Sequence, residues 1–251
     1  MIDKNNYGSD FYNNVNITSL YSAEIILPKV LELFSCEIKT AVDFGCAEGV
    51  WLNKLLDLGI NEIVGIDGPW VQQTALKIPV ESFVIANLGE PIYLKKKYDI
   101  AISLEVAEHI PQTSAETFVH SLTTAADFVL FSAAIPYQGG TDHVNEQWPA
   151  YWNALFNKYG FIAVDYLREQ FWREKKVNVY YKQNILLFVK KERKNEIKIQ
   201  DKYFCIDRSP TSMVHPRLFF QRLIVRIIGG EGTNALIKIK NKLKKGRAHD
   251  I

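Results

Sequence analysis

Five short, nearly unbroken apolar runs punctuate the first half of the chain: TAVDF at 40–44, EIVGID at 62–67, ESFVIANL at 81–88, YDIAISLEV at 98–106 and DFVLFSAAIP at 127–136. Their length and their β-branched and aromatic content predict strands. Their lack of in–out alternation predicts burial on both faces. Segments with helical spacing fall before and between them. SLYSAEIILPKVLELF at 19–34 reads as a helix with a kink or junction at Pro28, and EGVWLNKLLDLG as a helix ended by Gly59. VQQTALK reads as a short helix, 113–126 as a longer one, and PAYWNALFNKYGF at 149–161 as a helix stopped by Gly160. FIAVDYLR and NILLFVKK add two strands. Their link, EQFWREKKVNVYYKQ, is polar and aromatic without helical spacing, which predicts a hairpin. The alternation implies an open α/β sheet of seven strands with helices on both faces, mostly parallel, its last strand antiparallel.

The pattern changes at Lys190. From there onward 16 Lys and Arg face 6 Asp and Glu, whereas the preceding residues carry 14 against 22. The net charge of +2 therefore conceals an acidic body, 1–190, and a basic tail, 191–251. KKERKNEIKIQDK reads as a linker. PRLFFQRLIVRIIGG and NALIKIKNKLKKGR read as basic amphipathic helical segments suited to docking on the acidic body or to peripheral contact with an anionic membrane. No apolar run approaches the roughly 18 residues of a membrane span. Cys36, Cys46 and Cys205 make neither a CxxC pair nor an even set, and no stretch has a signal-peptide layout, so the expected setting is the reducing cytoplasm.

Candidate chemistry lies at the ends of the predicted strands. In an open parallel sheet, ligands sit beyond those ends, where strand order reverses. The loop after the first strand reads DFGCAEGVW, with small residues at 45, 47 and 49. Glycine lets the backbone approach a ligand. The spacing is not GxGxxG, GK[ST] is absent, and Glu48 near the helix start disfavours a phosphate, so an amino acid's ammonium group suits the loop better. Asp67, 24 residues after Asp43, ends the second strand where a carboxylate can accept a ribose diol. Asn87 ends the third, and SLEVAEHIP follows the fourth.

In register, VDFGCAEGVW, GIDG, ANL and YDIAISLEVAEHI resemble class I S-adenosylmethionine-dependent methyltransferases over about residues 20–190. The resemblance implies a Rossmann-like doubly wound fold and S-adenosyl-L-methionine as cofactor. It places Asp43, Gly45, Cys46, Ala47, Gly49 and Trp51 around the methionine and ribose side, and Asp67 and Gly68 at the ribose hydroxyls. Asn87 and Leu88 would flank the adenine, and Ser103, Leu104 and Glu105 would lie near the methyl group. Ala47 departs from the glycine that many members carry.

For the acceptor, the informative stretch is YQGGTDHVNEQWPAYW at 137–152. A histidine beside a hydroxyl is a natural general base. His143 takes that role, with Asp142 or Glu146 to orient it. Asn145 and His109 are candidate acceptor contacts, and Trp148, Tyr151 and Trp152 a platform for a sugar ring. The competing reading has His143 and Asn145 capping the helix at Pro149, with Trp148 and Trp152 in the core. His109 is equally open to a structural role, and His120 reads as a packed or surface histidine. HVNEQWP is similar to a segment of small methyltransferases of bacterial surface-polysaccharide and nucleotide-sugar pathways, which implies O-methylation of a sugar, glycan precursor or nucleotide-linked sugar.

LEVAEHIP also resembles quinone-pathway methyltransferases, so a quinone precursor, lipid head group or phosphoryl-linked group is the alternative acceptor. A non-catalytic cofactor-binding scaffold is a third reading. The fourth strand lacks the [DN]PP[YF] sequence of base-methylating enzymes and the tail lacks an aromatic-interleaved RNA motif, so no nucleic-acid partner is expected. Asp142, His143 and Glu105 or Glu108 are the nearest grouping to a metal set, but their spacing matches no known pattern, and no metal is expected. Oligomerisation is left open.

Overall fold

The structure is a computed structural model describing residues 9–227 apart from 221 and 224, with side chains from residue 18. The strands are β1 (Thr40–Phe44), β2 (Glu62–Asp67), β3 (Phe83–Ile85), β4 (Ile100–Leu104), β5 (Phe128–Ser132), β6 (Phe161–Val164), β7 (Leu186–Lys190) and β8 (Phe204–Cys205). They form one eight-stranded sheet in the order β3-β2-β1-β4-β5-β7-β6-β8. The five strands from β3 to β5 are parallel, and β7 runs antiparallel between β5 and β6. This is the expected doubly wound α/β class. Strand order reverses between β1 and β4, which sets the ligand-binding edge at the C-terminal ends of those strands.

The central strands are buried throughout, and alternate residues serve opposite faces. One core joins Ile100, Ile102 and Leu130 to α1 (Ser9–Glu32), through Ile26 and Val30, and to α2 (Val50–Asp57), through Leu52 and Leu55. The other joins Ala101, Val129 and Phe131 to α3 (Ala115–Ala125), through Phe118 and Leu122, and to α4 (Pro149–Lys158), through Trp152 and Phe156. Phe156 stacks on Phe188 at 3.8 Å. Helix α1 runs through Pro28, and the predicted VQQTALK helix is a single 3-10 turn, Gln73–Ala75.

Two features differ from expectation. The β6–β7 link is not a plain hairpin turn: it holds α5 (Leu167–Phe171) and α6 (Val179–Asn184), the latter capped by Asn178. Both are shorter than two turns, and beside Leu167, Phe171 and Tyr181 they bury Arg168, Lys182, Gln183 and Asn184, so the apolar spacing is too brief and too mixed to announce them. The sheet also gains β8, two residues from a charged stretch, paired antiparallel to β6. Residues 216–220, 222–223 and 225–227 are helical, and the second basic segment lies outside the described residues. No described helix is long and apolar enough to cross a membrane.

Arg168 is the polar keystone of this end. Its Nε donates to Asp165 Oδ1 at 2.7 Å, its Nη2 to the other carboxylate oxygen, and its Nη1 to the carbonyls of Thr211 (2.9 Å) and Gln183 (3.4 Å). Removing one partner of a buried pair strands the other. Arg168→Ala is expected to lower unfolding free energy by about 3–5 kcal/mol in denaturant titrations. Arg168→Lys should recover less than half of that, because an ammonium cannot reproduce the guanidinium fork.

Candidate active site

The loop after β1 makes three left-handed turns in five residues: Gly45 (φ 90°), Ala47 (48°) and Gly49 (83°). At Gly45 a Cβ would lie 2.4 Å from Val106 Cγ2, so glycine lets the segment after β4 close over the loop. Ala47 carries its side chain in a conformation that L-residues disfavour. Its N–H donates to Asp67 Oδ2 at 2.7 Å, and the Gly68 N–H to Asp67 Oδ1 at 2.6 Å. Asp67 therefore ties the loops after β1 and β2 together. Trp70, not anticipated from the sequence, lies beside the Asp67 carboxylate and lays its ring against Gly68.

The acids here are desolvated. Burial holds the Asp67 carboxyl above the usual range, opposed by those N–H donors. Burial and the charge of Asp67 push Asp43, 3% exposed, well above it. Cys46 and Trp51 are buried beside them, with Trp51 edge-on to Tyr181 at 5.2 Å. Burial raises the Tyr181 phenol to about 12. Leu88 is buried. Asn87 is exposed and spends its side chain locally, accepting from the Gly89 N–H and donating to Glu90 Oε1, both at 3.0 Å.

At the end of β4, Ser103 and Leu104 are buried, and the Ser103 hydroxyl has no protein partner. Glu105 is left-handed (φ 55°). Its carboxylate accepts from Gln138 Nε2 at 3.0 Å and from Asn184 Nδ2 at 3.0 and 3.2 Å. Gln183 extends this amide network to Gln138 and to the His215 N–H. Burial raises the Glu105 carboxyl, and these donors pull it down.

The loop at 137–148 is organised by Glu146. Its carboxylate accepts from the N–H groups of Tyr137 and Gly139, each at 2.7 Å, and meets His143 Nδ1 at 2.9 Å. Backbone N–H groups of Val144 and Asn145 donate to the Glu108 carbonyl, which docks the loop on the turn Ala107–His109. The His143 and His109 rings meet edge-on at 4.9 Å. His143 Nε2 lies 4.0 Å from Glu108 Oε1. Glu108 is 1% exposed, its Oε2 has no protein partner, and burial with the Glu105 charge raises its carboxyl well above the usual range. Burial and His143 lower His109 to about 4. Of the two expected orienters, Glu146 meets His143. Asp142 instead offers its carbonyl to His109 Nδ1 at 3.3 Å.

The capping alternative for His143 and Asn145 is not what the structure holds. The N-cap of α4 is Trp148, with Pro149 following and no side-chain cap bond. Asn145 is buried, accepting from Gln147 Nε2, with its own Nδ2 unpartnered. The aromatic platform is divided: Trp152 is 2% exposed and packs on Phe131, leaving no face for a sugar ring, and Tyr151 packs edge-on against Trp152. Trp148 is partly exposed beneath the Arg222 guanidinium at 5.1 Å. Arg222 Nε also donates to the Pro136 carbonyl at 2.9 Å. The tail's first helical segment thus docks on this loop. His120 packs against Tyr159.

A parallel sheet of this strand order, a left-handed glycine turn after β1 and an acid closing β2 define a class I S-adenosylmethionine-dependent methyltransferase. Residues 23–173 match the family described as "Methyltransferase domain", and the chain belongs to it. Among solved structures, magnesium protoporphyrin IX methyltransferase from Synechocystis PCC 6803 with bound SAH is 20% identical, with TM-score 0.51, over 74% of this chain and 91% of that one. A Haloferax volcanii complex with the Trm112 methyltransferase activator is 13% identical, with TM-score 0.55, over 76% and 98%. The small RNA methyltransferase HEN1 is 17% identical, with TM-score 0.47, over 67% of this chain, which spans 25% of that one. Such identities speak for the fold alone. No curated protein matches.

The Asp43–Asp67 pair gives the protein a pH dependence. Above its raised native pKa, Asp43 is charged in a desolvated site when folded and in water when unfolded, which destabilises the native state. That cost fades as pH falls through the native pKa toward the usual carboxylate range, where only the native state binds the proton. Asp43→Asn should raise the melting temperature of the ligand-free protein at pH values above the raised native pKa of Asp43, and the gain should shrink as pH falls through that pKa toward the usual carboxylate range. A gain that stayed constant with pH would assign Asp43 an ordinary native pKa.

Proposed function

We propose that the chain is a cytoplasmic transferase that O-methylates a sugar or glycan precursor. The observation carrying the reading is His143 with Glu146 behind it at 2.9 Å. A carboxylate on Nδ1 makes that nitrogen the donor and leaves Nε2 as a proton acceptor, the arrangement a neutral hydroxyl nucleophile requires. Residues 1–190 are read as the catalytic domain and 191–251 as an extension, of which Arg222 and Val225 rest on the acceptor loop.

The residues present fit the cofactor. The left-handed turn brings backbone close without side chains in the way. Two buried acids, without a Lys or Arg ion pair among the described residues, suit a ligand carrying ammonium and sulfonium charge. Asp43, Gly45, Cys46, Ala47, Gly49 and Trp51 would hold its methionine end and Asp67 with Gly68 its ribose. Asn87 and Leu88 would hold its adenine, and Ser103, Leu104 and Glu105 its methyl end. When bound, S-adenosylmethionine supplies an already activated methyl group. The chain then has to align the acceptor, exclude water and take up a proton at His143 Nε2.

His109, Asn145 and partly exposed Trp148 are the acceptor contacts in this reading, with Tyr151 at the margin. The basic pair Arg222 and Arg226, over Trp148 and Tyr137, supports an acceptor with a phosphoryl link. That feature suits a nucleotide-linked sugar and equally a phosphoryl-linked head group, the second reading.

Asp67→Ala should weaken S-adenosylhomocysteine binding by about 1–3 kcal/mol in calorimetry. Unchanged affinity in a folded variant would take Asp67 out of the site. His143→Ala should lower turnover roughly 10²–10⁴-fold with cofactor affinity nearly unchanged. The acceptor is tested with labelled cofactor against nucleotide-linked sugars, quinone precursors and phospholipid head groups. Transfer to the last two alone would overturn the sugar reading.

A further inference from the structure

We propose that Glu108, His109 and His143 bind a first-row transition-metal dication at the acceptor end of the cleft. One ligand atom from each residue falls within 4.8 Å of the others. Ligand atoms about 2.1 Å from a tetrahedral cation lie about 3.4 Å apart, so side-chain shifts of about an ångström complete the set. This revises the expectation of no metal, which rested on linear spacing. Glu108 and His109 are adjacent on one turn, and His143 arrives from a separate loop.

Two further observations point to a ligand rather than to a chance cluster. The first is the hydrogen bonding behind the imidazoles. His143 Nδ1 faces the Glu146 carboxylate at 2.9 Å, and His109 Nδ1 faces the Asp142 carbonyl at 3.3 Å. Both partners are acceptors, so each Nδ1 carries the hydrogen and each Nε2 keeps its lone pair. Metal-ligating histidines are held by this outer contact. The second is Glu108 itself, 1% exposed with Oε2 lacking any protein partner. A buried carboxylate oxygen without a donor is costly, and a cation is one of the few groups that offsets it. By contrast Glu105, on the same segment, is fully engaged by Gln138 and Asn184 and stands outside the set.

The approach of the two halves is fixed by backbone. Val144 and Asn145 donate to the Glu108 carbonyl at 2.9 and 3.0 Å. Gly140 is needed beside the ring, since a Cβ there would lie 2.1 Å from His143 Nε2. Two imidazoles and one carboxylate favour Mn²⁺, Fe²⁺, Co²⁺ or Zn²⁺ over Mg²⁺ or Ca²⁺. Three protein ligands leave coordination positions for an acceptor oxygen. For this role in turnover the inference rests on the acceptor reading above, with one change: in the metal-loaded protein His143 Nε2 is a ligand and not the base, and the cation acidifies the acceptor hydroxyl so that its proton passes to water.

The test uses the full chain, stripped with chelator and titrated with Co²⁺ without acceptor, followed by visible absorption and calorimetry. The expected result is saturable binding of one equivalent with ligand-field bands. His109→Asn, His143→Asn and Glu108→Gln should each weaken binding by at least about tenfold, and Glu146→Gln by about 10–100-fold. Cofactor-product binding within about twofold of wild type certifies that each variant is folded. Absence of saturable Co²⁺ binding, or equal affinity in both folded histidine variants, overturns the site. Because no acceptor is present, a failed acceptor screen leaves this result standing, and a failed titration leaves the acceptor reading standing.

Discussion

The site depends on one constraint: carboxylates are buried along the C-terminal edge of the sheet, where water cannot solvate them. Asp43 and Asp67 lie at the C-terminal ends of β1 and β2, Glu105 and Glu108 follow β4, and burial raises the carboxyl of each. The fold treats them differently. Asp67 receives backbone N–H groups, and Glu105 receives side-chain amides. Asp43 gains only a like charge nearby, and Glu108 keeps one oxygen unpartnered. Donors from the protein stabilise two of these acids in place. Asp43 and the unpartnered oxygen of Glu108 are the groups whose desolvation a bound positive charge would offset under the proposals above.

That division organises the rest of the edge. Asp67 can clamp two loops because Ala47 and its flanking glycines turn left-handed and aim an N–H at it. Gln138 and Asn184, which pull down the Glu105 pKa that burial raises, reach it from segments 33 and 79 residues away. The amide network therefore couples the position of β4 to the acceptor loop and to α6. Through Gln183 and His215 it extends to the first residues of the tail helix.

Much of the sheet was legible in the sequence because strands buried on both faces must be continuously apolar. Asp43 and Asp67 were legible too, since each ends such a run before glycine-containing turns. The stretch from 165 to 184 was not. Its buried apolar side chains are few and scattered, and beside them it buries Arg168, Lys182, Gln183 and Asn184, whose satisfaction is tertiary. Strand β8 is two residues long and carries no period. At the site, His143 and Glu146 stand three residues apart on one loop, so their pairing could be anticipated. Burial of Trp152 agrees with the competing reading, which put it in the core. The meeting of His143 with His109 follows from how the loop docks on the turn after β4, which local sequence does not encode.

The tail has a physical part in this arrangement. Val225 is buried against Gly139, where a Cβ would lie 2.9 Å from it, and Arg222 spans from the Trp148 ring to the Pro136 carbonyl. The acidic side of the contact is Glu146, whose charge acts on Arg222 while its oxygens hold Tyr137, Gly139 and His143. One carboxylate thus answers to the loop's backbone, to the imidazole and to the tail. Docking of the tail on the body is therefore more than charge matching between a basic and an acidic half. It places a cation beside the group that fixes the His143 tautomer, so the position of the tail and the chemistry of the imidazole are linked through Glu146.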